Sequence, residues 1–235
     1  MNLLQLSLPH AVDHVSLMNW PFDIPIDTAK EETLLAYADE LRRVNRQFNL
    51  VSRRDEEWIL MHHVGHCLAF GLRPFMAGTS IVDWGSGGGL PAIPISILQP
   101  DIAVTAVDSN SKKTRSIDLF CRRLKVSNCT SWHGRAEEYA GSAHCSVSRA
   151  TAPLTDLWTW HERMAAPPRQ HTPSDSTGTT WPDGLVCLKG GDLSAEVGQL
   201  QIDYPGVEIE DIRLKDFASG SYFATKSIIV VVKRQ

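Results

Sequence analysis

Apolar residues along the chain change their period as it proceeds. Leu34, Ala38, Leu41, Val44 and Phe48 recur every three or four residues, with Arg42, Arg43 and Arg46 between them, which predicts an amphipathic helix with a basic outer face. Asn49-Leu50-Val51-Ser52 interrupts that pattern. A second helix is predicted next, capped by Asp55, with Glu56 and Glu57 in its first turn and His62, His63 and His66 along it. From residue 81 the period shortens. β-Prone runs at 81–84, 102–107, 130–133, 145–148 and 185–188 alternate with helical stretches, among them 112–125, 154–164 and 193–200. Runs at 207–214 and 227–233 then follow one another with no helix between. Five strand-and-helix units and a closing strand pair predict an α/β fold, with a seven-stranded, mostly parallel sheet whose last two strands form an antiparallel hairpin.

The same pattern divides the chain. Residues 1–29, with Pro9, Pro21 and Pro25, read as an irregular extension, 30–76 as a helical cap and 77–235 as a Rossmann-like sheet domain. Within the last, 166–183 is rich in Pro, Ser and Thr and reads as a surface insertion. A chain of 235 residues can bury one sizeable core.

The sheet domain opens on IVDWGSGGGLPAIPISI, residues 81–97. This reads as strand, glycine turn, helix: the turn needs φ > 0 and bare backbone against a ligand, and the helix start offers unpaired N–H groups. Pro91 suits the first helical position and Pro94 still lies in the first turn. Counted from Gly85, the spacing Gly85-x-Gly87-x-Gly89 puts Leu90 where a dinucleotide fingerprint wants its third glycine, which favours S-adenosylmethionine and the class I methyltransferase form of the fold. Counted from Gly87, Gly87-x-Gly89-x-x-Ala92 satisfies the looser dinucleotide pattern, so a nicotinamide-dependent dehydrogenase stays open. Asp108 ends the second predicted strand, where a carboxylate can hold ribose hydroxyls; its other use is to cap the following helix, a task Ser109 or Ser111 can also serve. The loop at 134–138 and Arg149-Ala150 lie at later strand ends, which line the ligand crevice of such sheets.

Charge and cysteine usage narrow the chemistry. A formal net charge of −4 excludes a protein that is basic all over, so nucleic-acid contact must come from a local patch such as Arg42, Arg43, Arg46, Arg53 and Arg54. The five cysteines form no CxxC pair, which points to free thiols in a reducing compartment and to no zinc site. His62, His63 and His66 resemble a metalloprotease HExxH whose glutamate is replaced by His63, so that mechanism loses its base; no metal is expected, and the three are read as RNA contacts. The first residues lack a basic n-region and a long apolar core, and nothing approaches the ~18 apolar residues of a membrane span, so a soluble cytoplasmic protein with no membrane partner is expected.

Taken in order, Asn49-Leu50-Val51-Ser52, the histidine helix, Asp83-x-Gly85-x-Gly87-x-Gly89-Leu90-Pro91, Asp108-Ser109 with Lys112-Lys113, Arg135-Ala136-Glu137-Glu138, Ser148-Arg149-Ala150 and Leu188-Lys189-Gly190 carry a specific resemblance. Over roughly residues 33–235, outside the insertion, the chain resembles the bacterial small-subunit rRNA guanine-N7 methyltransferases, once called glucose-inhibited division protein B. The resemblance implies S-adenosylmethionine as cofactor and 16S rRNA, or a small-subunit ribosomal particle, as substrate, methylated on one guanine of a hairpin loop near the decoding centre. It implies that Gly85, Leu90, Ala136, Glu137 and Arg149 contact the cofactor, to which the fold reading adds Gly87, Gly89 and Asp108. Arg53, His62, His63, His66 and Lys189 are expected on the RNA side. Gly88 stands where the family usually has proline, which should loosen the loop, and His66-Cys67 stands where it usually has Asp-Ser. Guanine N7 has a lone pair and no proton, so direct in-line transfer needs no general base and none is assigned. The chain also lacks the Asn/Asp-Pro-Pro-aromatic motif of amino-group methyltransferases and the Pro-Cys nucleophile of cytosine-C5 enzymes. The other S-adenosylmethionine reading is a methyltransferase for another RNA or a small molecule.

Overall fold

The computed structural model describes residues 18–149, 151–167, 179–218 and 220–234. Asp27 accepts a hydrogen bond from Lys30 N and caps α1 (Thr28–Asn45), whose stripe of Leu34, Tyr37, Ala38, Leu41 and Val44 is buried. Its basic outer face is not free: Arg42 pairs with Asp39, Arg43 with Glu40 and Arg46 with Glu56. The expected histidine α-helix is instead a composite, 3₁₀ over Arg53–Trp58, π over Ile59–Val64, a single α turn α2 (Gly65–Cys67) and 3₁₀ again over Leu68–Leu72. Ser52, accepting from Arg54 N, caps it, and not Asp55, because the segment begins one residue after Ser52.

The sheet runs β1 (Ser80–Trp84), β2 (Ala103–Asp108), β3 (Cys129–His133), β4 (Cys145–Arg149), β5 (Gly184–Gly190), β6 (Val207–Arg213) and β7 (Lys226–Lys233) in chain order, arranged β3-β2-β1-β4-β5-β7-β6. β3 to β5 on this path are parallel, and β7 slots antiparallel between β5 and β6. The expected closing antiparallel pair is therefore present, and two 3₁₀ turns, Leu214–Asp216 and Ser221–Thr225, fill the connection between its strands. β4 and β5 are buried on both faces and β6, at the edge, alternates and carries Glu208 and Glu210. α3 (Ala92–Leu98), α4 (Ser111–Leu124), α5 (Leu154–Met164) and α6 (Ser194–Asp203) complete the chain. No helix follows β3, only a 3₁₀ turn at Ala136–Glu138.

Two apolar clusters cover the two faces. One joins Leu34, Tyr37 and Leu41 of α1 to Ile81, Ile93 and Ile117, so the helical cap and the sheet share a core; the other gathers Val82, Trp84, Leu157, Trp158, Leu185 and Ile229. The extension is partly tied down, with Trp20 Nε1 donating to Glu31 Oε1 and Phe22 bridging to Ala218; residues 1–17 lie outside the described residues. Of the expected surface insertion, 168–178 lie outside the described residues, and its C-terminal flank is core: Trp181 is buried, with Nε1 donating to Phe70 O. Among the described residues no helix is long and apolar enough to cross a membrane.

Candidate functional site

The parallel strands end at a pocket of about 720 Å³, within the range of small-molecule and cofactor sites. It lies where strand order reverses between β1 and β4. The glycine turn after β1 forms one wall, with Gly85 at φ 68° and Gly87 at φ 61°. Three elements hold that turn. Asp108 Oδ2 accepts from Gly87 N at 2.9 Å while its Oδ1 accepts from Asn110 N. Asp83 Oδ2 accepts from Ala92 N at 3.1 Å, securing the start of α3; Pro91 is the residue before the helix and not its first. Tyr37 donates its hydroxyl to Gly88 O at 2.8 Å, so the loop is pinned by the cap where the sequence predicted it to be loosened. Asn45 Oδ1 accepts from both Leu50 N and Val51 N, which sets the Asn-Leu-Val-Ser turn against the same pocket.

Gly85, Gly87, Leu90, Asp108, Ala136, Glu137, Arg149 and His63 line the pocket. Gly89 does not; the site of its absent Cβ is occupied by Ile93. Of the remaining residues expected near RNA, Arg53 is exposed on the 3₁₀ turn beside the pocket. His62 is held in a ring stack, and His66 is buried. Lys189 is not available to RNA: 7% exposed, it spends its ammonium on Ala152 O and Glu196, because β5 and α6 close around it. The residue capping α4 is Asn110, which leaves Asp108 to the glycine turn. Ser52, Lys113, Thr151 and Trp160 line the pocket without having been singled out. Ser52 stood in a recognised motif and Lys113 in another, but Trp160 sits on α5 with no motif around it.

Burial dominates the electrostatics. It brings His63 down to about 4, helped by the Arg149 cation and opposed by Asp55, and holds His66 well below the ordinary histidine value, again with Arg149 contributing. Both imidazoles are neutral at neutral pH. Burial pushes Asp83 up to about 7, with Ser86, the Ala92 N–H and Arg149 pulling the other way, and pushes the Cys67 thiol up to about 12, so that it is no nucleophile. An adenosyl ligand fits this lining. Arg149 Nε is buried with no hydrogen bond among the described residues, and beyond Gly87 the nearest protein atom to a Cβ would be Leu50 O at 3.9 Å, an open cradle of backbone.

A sequence model of the family described as rRNA small subunit methyltransferase G matches residues 30–170. The ribosomal RNA small subunit methyltransferase G of Salinibacter ruber is 45% identical over 203 residues, 86% of this chain and 92% of its own length. That of Chlorobium limicola is 34% identical over 209 residues, 85% of this chain and 86% of its own. Among solved structures, a ribosomal protein L11 methylase from Lactobacillus delbrueckii subsp. bulgaricus superposes with a TM-score of 0.53 at 11% identity, over 74% of this chain and 79% of that one. Aeropyrum pernix fibrillarin, solved with natively bound S-adenosyl-L-methionine, superposes at 0.51 with 17% identity over 72% and 74%. These structures share the class I methyltransferase fold with this chain, whose own β7 is inserted antiparallel between β5 and β6.

Proposed function

The chain belongs to the rRNA small subunit methyltransferase G family, and from that membership we propose that it methylates N7 of a guanine in small-subunit (16S) rRNA, presented in a ribosomal particle or precursor. The observation that carries the reading is the pocket between Gly87, Asp108 and Arg149, in which Asp108 holds the glycine turn and Arg149 Nε has no hydrogen bond among the described residues. Gly85, Gly87, Leu90, Asp108, Ala136, Glu137 and Arg149 would hold S-adenosylmethionine. When bound, that cofactor supplies a methyl carbon made electrophilic by its sulfonium. The rest of the work falls to the chain. Leu50, Val51 and Leu90 put apolar surface on the pocket and exclude water. Asp108 and Glu137 offer carboxylate acceptors for hydroxyls, and Asp108 keeps lone pairs beyond the two it gives to backbone N–H groups. The Arg149 guanidinium, with an unused donor, is suited to orient a planar or anionic group. His63 and His66, both neutral, need take no proton, because N7 has none to give.

The nicotinamide reading fails on two counts. The chain's family is one of methyltransferases, and Gly89, the second glycine of that count, does not line the pocket. Thermal shift tests the cofactor: adenosylhomocysteine at 100 times its Kd is expected to stabilise the protein by about 2.7 kcal/mol, and NADH not at all. Stabilisation by NADH alone would contradict the assignment. Transfer of labelled methyl to small-subunit rRNA in preference to large-subunit rRNA is the matching expectation for the substrate, and equal labelling of both would contradict it.

A further inference from the structure

Beside the pocket, three rings form a column. Trp58 and His62, four residues apart along the composite helix, have centroids 4.6 Å apart and planes within 8°. His62 and Tyr222, the latter from the turn before β7, are 3.8 Å apart and within 6°. Tyr222 also donates its hydroxyl to His62 O at 2.9 Å, which fixes the column to the helix backbone. Its inner end is packed: His66 and Phe223 meet Tyr222 edge-on, and Lys226 Nζ lies 5.1 Å from the ring centroid. The outer end is open. Trp58 is 50% exposed, and among the described residues no second ring covers it.

A tryptophan held flat at the surface by its own stack has already lost the rotamer freedom that a ligand would otherwise have to remove. Its surroundings say what ligand that is. Arg53 and Arg54, exposed on the same 3₁₀ turn, form no ion pair among the described residues, whereas Arg42 and Arg46 each pair with a carboxylate and Arg43 shares Glu40 with Arg123. Ser52 and His63, on either side of Trp58 in sequence, line the pocket itself. An exposed ring on the same short turn as two guanidinium groups that have no ion-pair partner among the described residues, with Glu56 of that turn paired to Arg46, matches a single-stranded nucleic-acid platform, on which a base stacks while cations meet its phosphates. A folded protein partner fits poorly, since the core of such an interface is depleted of charge and Trp58 shares its turn with five charged residues, Arg53, Arg54, Asp55, Glu56 and Glu57. A paired base fits no better, because its faces are hidden in the helix.

We propose that Trp58 is a stacking platform for an unpaired rRNA base neighbouring the guanine that enters the pocket, with Arg53 and Arg54 contacting the adjoining phosphates. This rests on the reading of small-subunit rRNA as substrate. The test compares wild type with Trp58→Ala, Trp58→Leu and Trp58→Phe, measuring affinity for 16S rRNA by filter binding, S-adenosylmethionine affinity by calorimetry, and melting temperature. Alanine and leucine, which lack a flat π-face, are expected to weaken RNA binding about tenfold, and phenylalanine to stay within about threefold of wild type. Cofactor affinity should not move, and melting temperature should fall by no more than about 2–4 °C, as the loss of one ring stack accounts for, equally for alanine and leucine. Leucine binding RNA as tightly as wild type would overturn the inference, as would RNA loss matched by loss of cofactor affinity or by a larger fall in melting temperature. RNA binding is read apart from methyl transfer, so the two readings fail separately. Trp58-dependent binding without methylation by wild type would contradict the proposed reaction and leave this inference standing; a methylating wild type with an equally binding leucine variant would do the reverse.

Discussion

A side chain at Gly87 would find room within the protein, with Leu50 O 3.9 Å and Gly85 O 4.0 Å from its Cβ. What opposes it is backbone at φ 61°, where an L-residue is strained by roughly 1–2 kcal/mol, and the ligand space beyond. Gly87→Val is therefore expected to fold and to lose at least ~10-fold in S-adenosylmethionine affinity, about 1.4 kcal/mol, by calorimetry; undiminished affinity would take the loop out of the site. Gly85 answers to a different neighbour, since its Cβ would fall on the Thr151 side chain, so a substitution there reports on folding. The glycine turn was plain in the sequence, but this difference was not, because Thr151 arrives from 66 residues away. Arg149 is the other residue whose reading changes with the structure. A buried salt-bridged arginine would serve stability, yet here Nε is left without a hydrogen bond beside the pocket. Arg149→Lys should lower turnover by at least ~10-fold without lowering melting temperature, because a point charge does not reproduce the planar fork. A fall in melting temperature with turnover of the folded enzyme unchanged would return Arg149 to a structural role.

Between elements, the decisive contact is that of α1 with the glycine turn. A Cβ at Gly88 would lie 2.7 Å from Leu41 Cδ1, so glycine lets α1 close over the loop and Tyr37 reach the Gly88 carbonyl. Tyr37→Phe leaves that carbonyl buried without its donor, which should cost about 1–3 kcal/mol of stability and weaken cofactor binding with it. If calorimetry and melting temperature both stay at wild-type values, the cap does not hold the loop. Strands such as β5 and β7 were legible because their buried stretches, 185–188 and 228–231, are continuous apolar runs, and α1 and α4 because their stripes keep helical spacing. The histidine segment was legible only as helical. Ser52 and Asp55 are both good caps, and nothing local chooses between them or marks the π turn at Ile59–Val64. Lys189 misled for a related reason: a lysine in sequence is read as exposed, and its partners Glu196 and Ala152 become neighbours only when β5, α6 and the loop before α5 assemble.

At the scale of the whole molecule, the buried histidines make stability depend on pH. Burial keeps His63 and His161 at about 4 and His66 well below its ordinary value. In the unfolded chain they protonate near ~6.5, so the unfolded state binds more protons as the medium becomes acid. Their stabilisation is complete above pH ~6.5 and is lost as pH falls toward about 4. Asp83, raised to about 7, acts the other way, holding a proton the unfolded chain releases, so that its share is lost as pH rises toward about 7. Three imidazoles outweigh one carboxyl. The melting temperature should fall between pH ~6.5 and ~5, and His161→Gln, which does not line the pocket, should make that fall shallower; a melting temperature that rises on acidification contradicts the burial of these imidazoles. The overall plan, a cap followed by a mostly parallel seven-stranded sheet, was readable from periodicity and motif order, whereas the sharing of one core by cap and sheet was not, since it depends on which apolar faces meet. That shared core sets the pocket beside an exposed aromatic column, and together the two would serve one guanine of small-subunit rRNA. The most direct measurement is nucleotide-resolution mass spectrometry of small-subunit rRNA incubated with S-adenosylmethionine, with and without the protein. One additional methyl group is expected, on N7 of a single guanine in an unpaired loop, and absent with Gly87→Val. Methylation on an exocyclic amine, on a ribose, or at no position in small-subunit rRNA would contradict it.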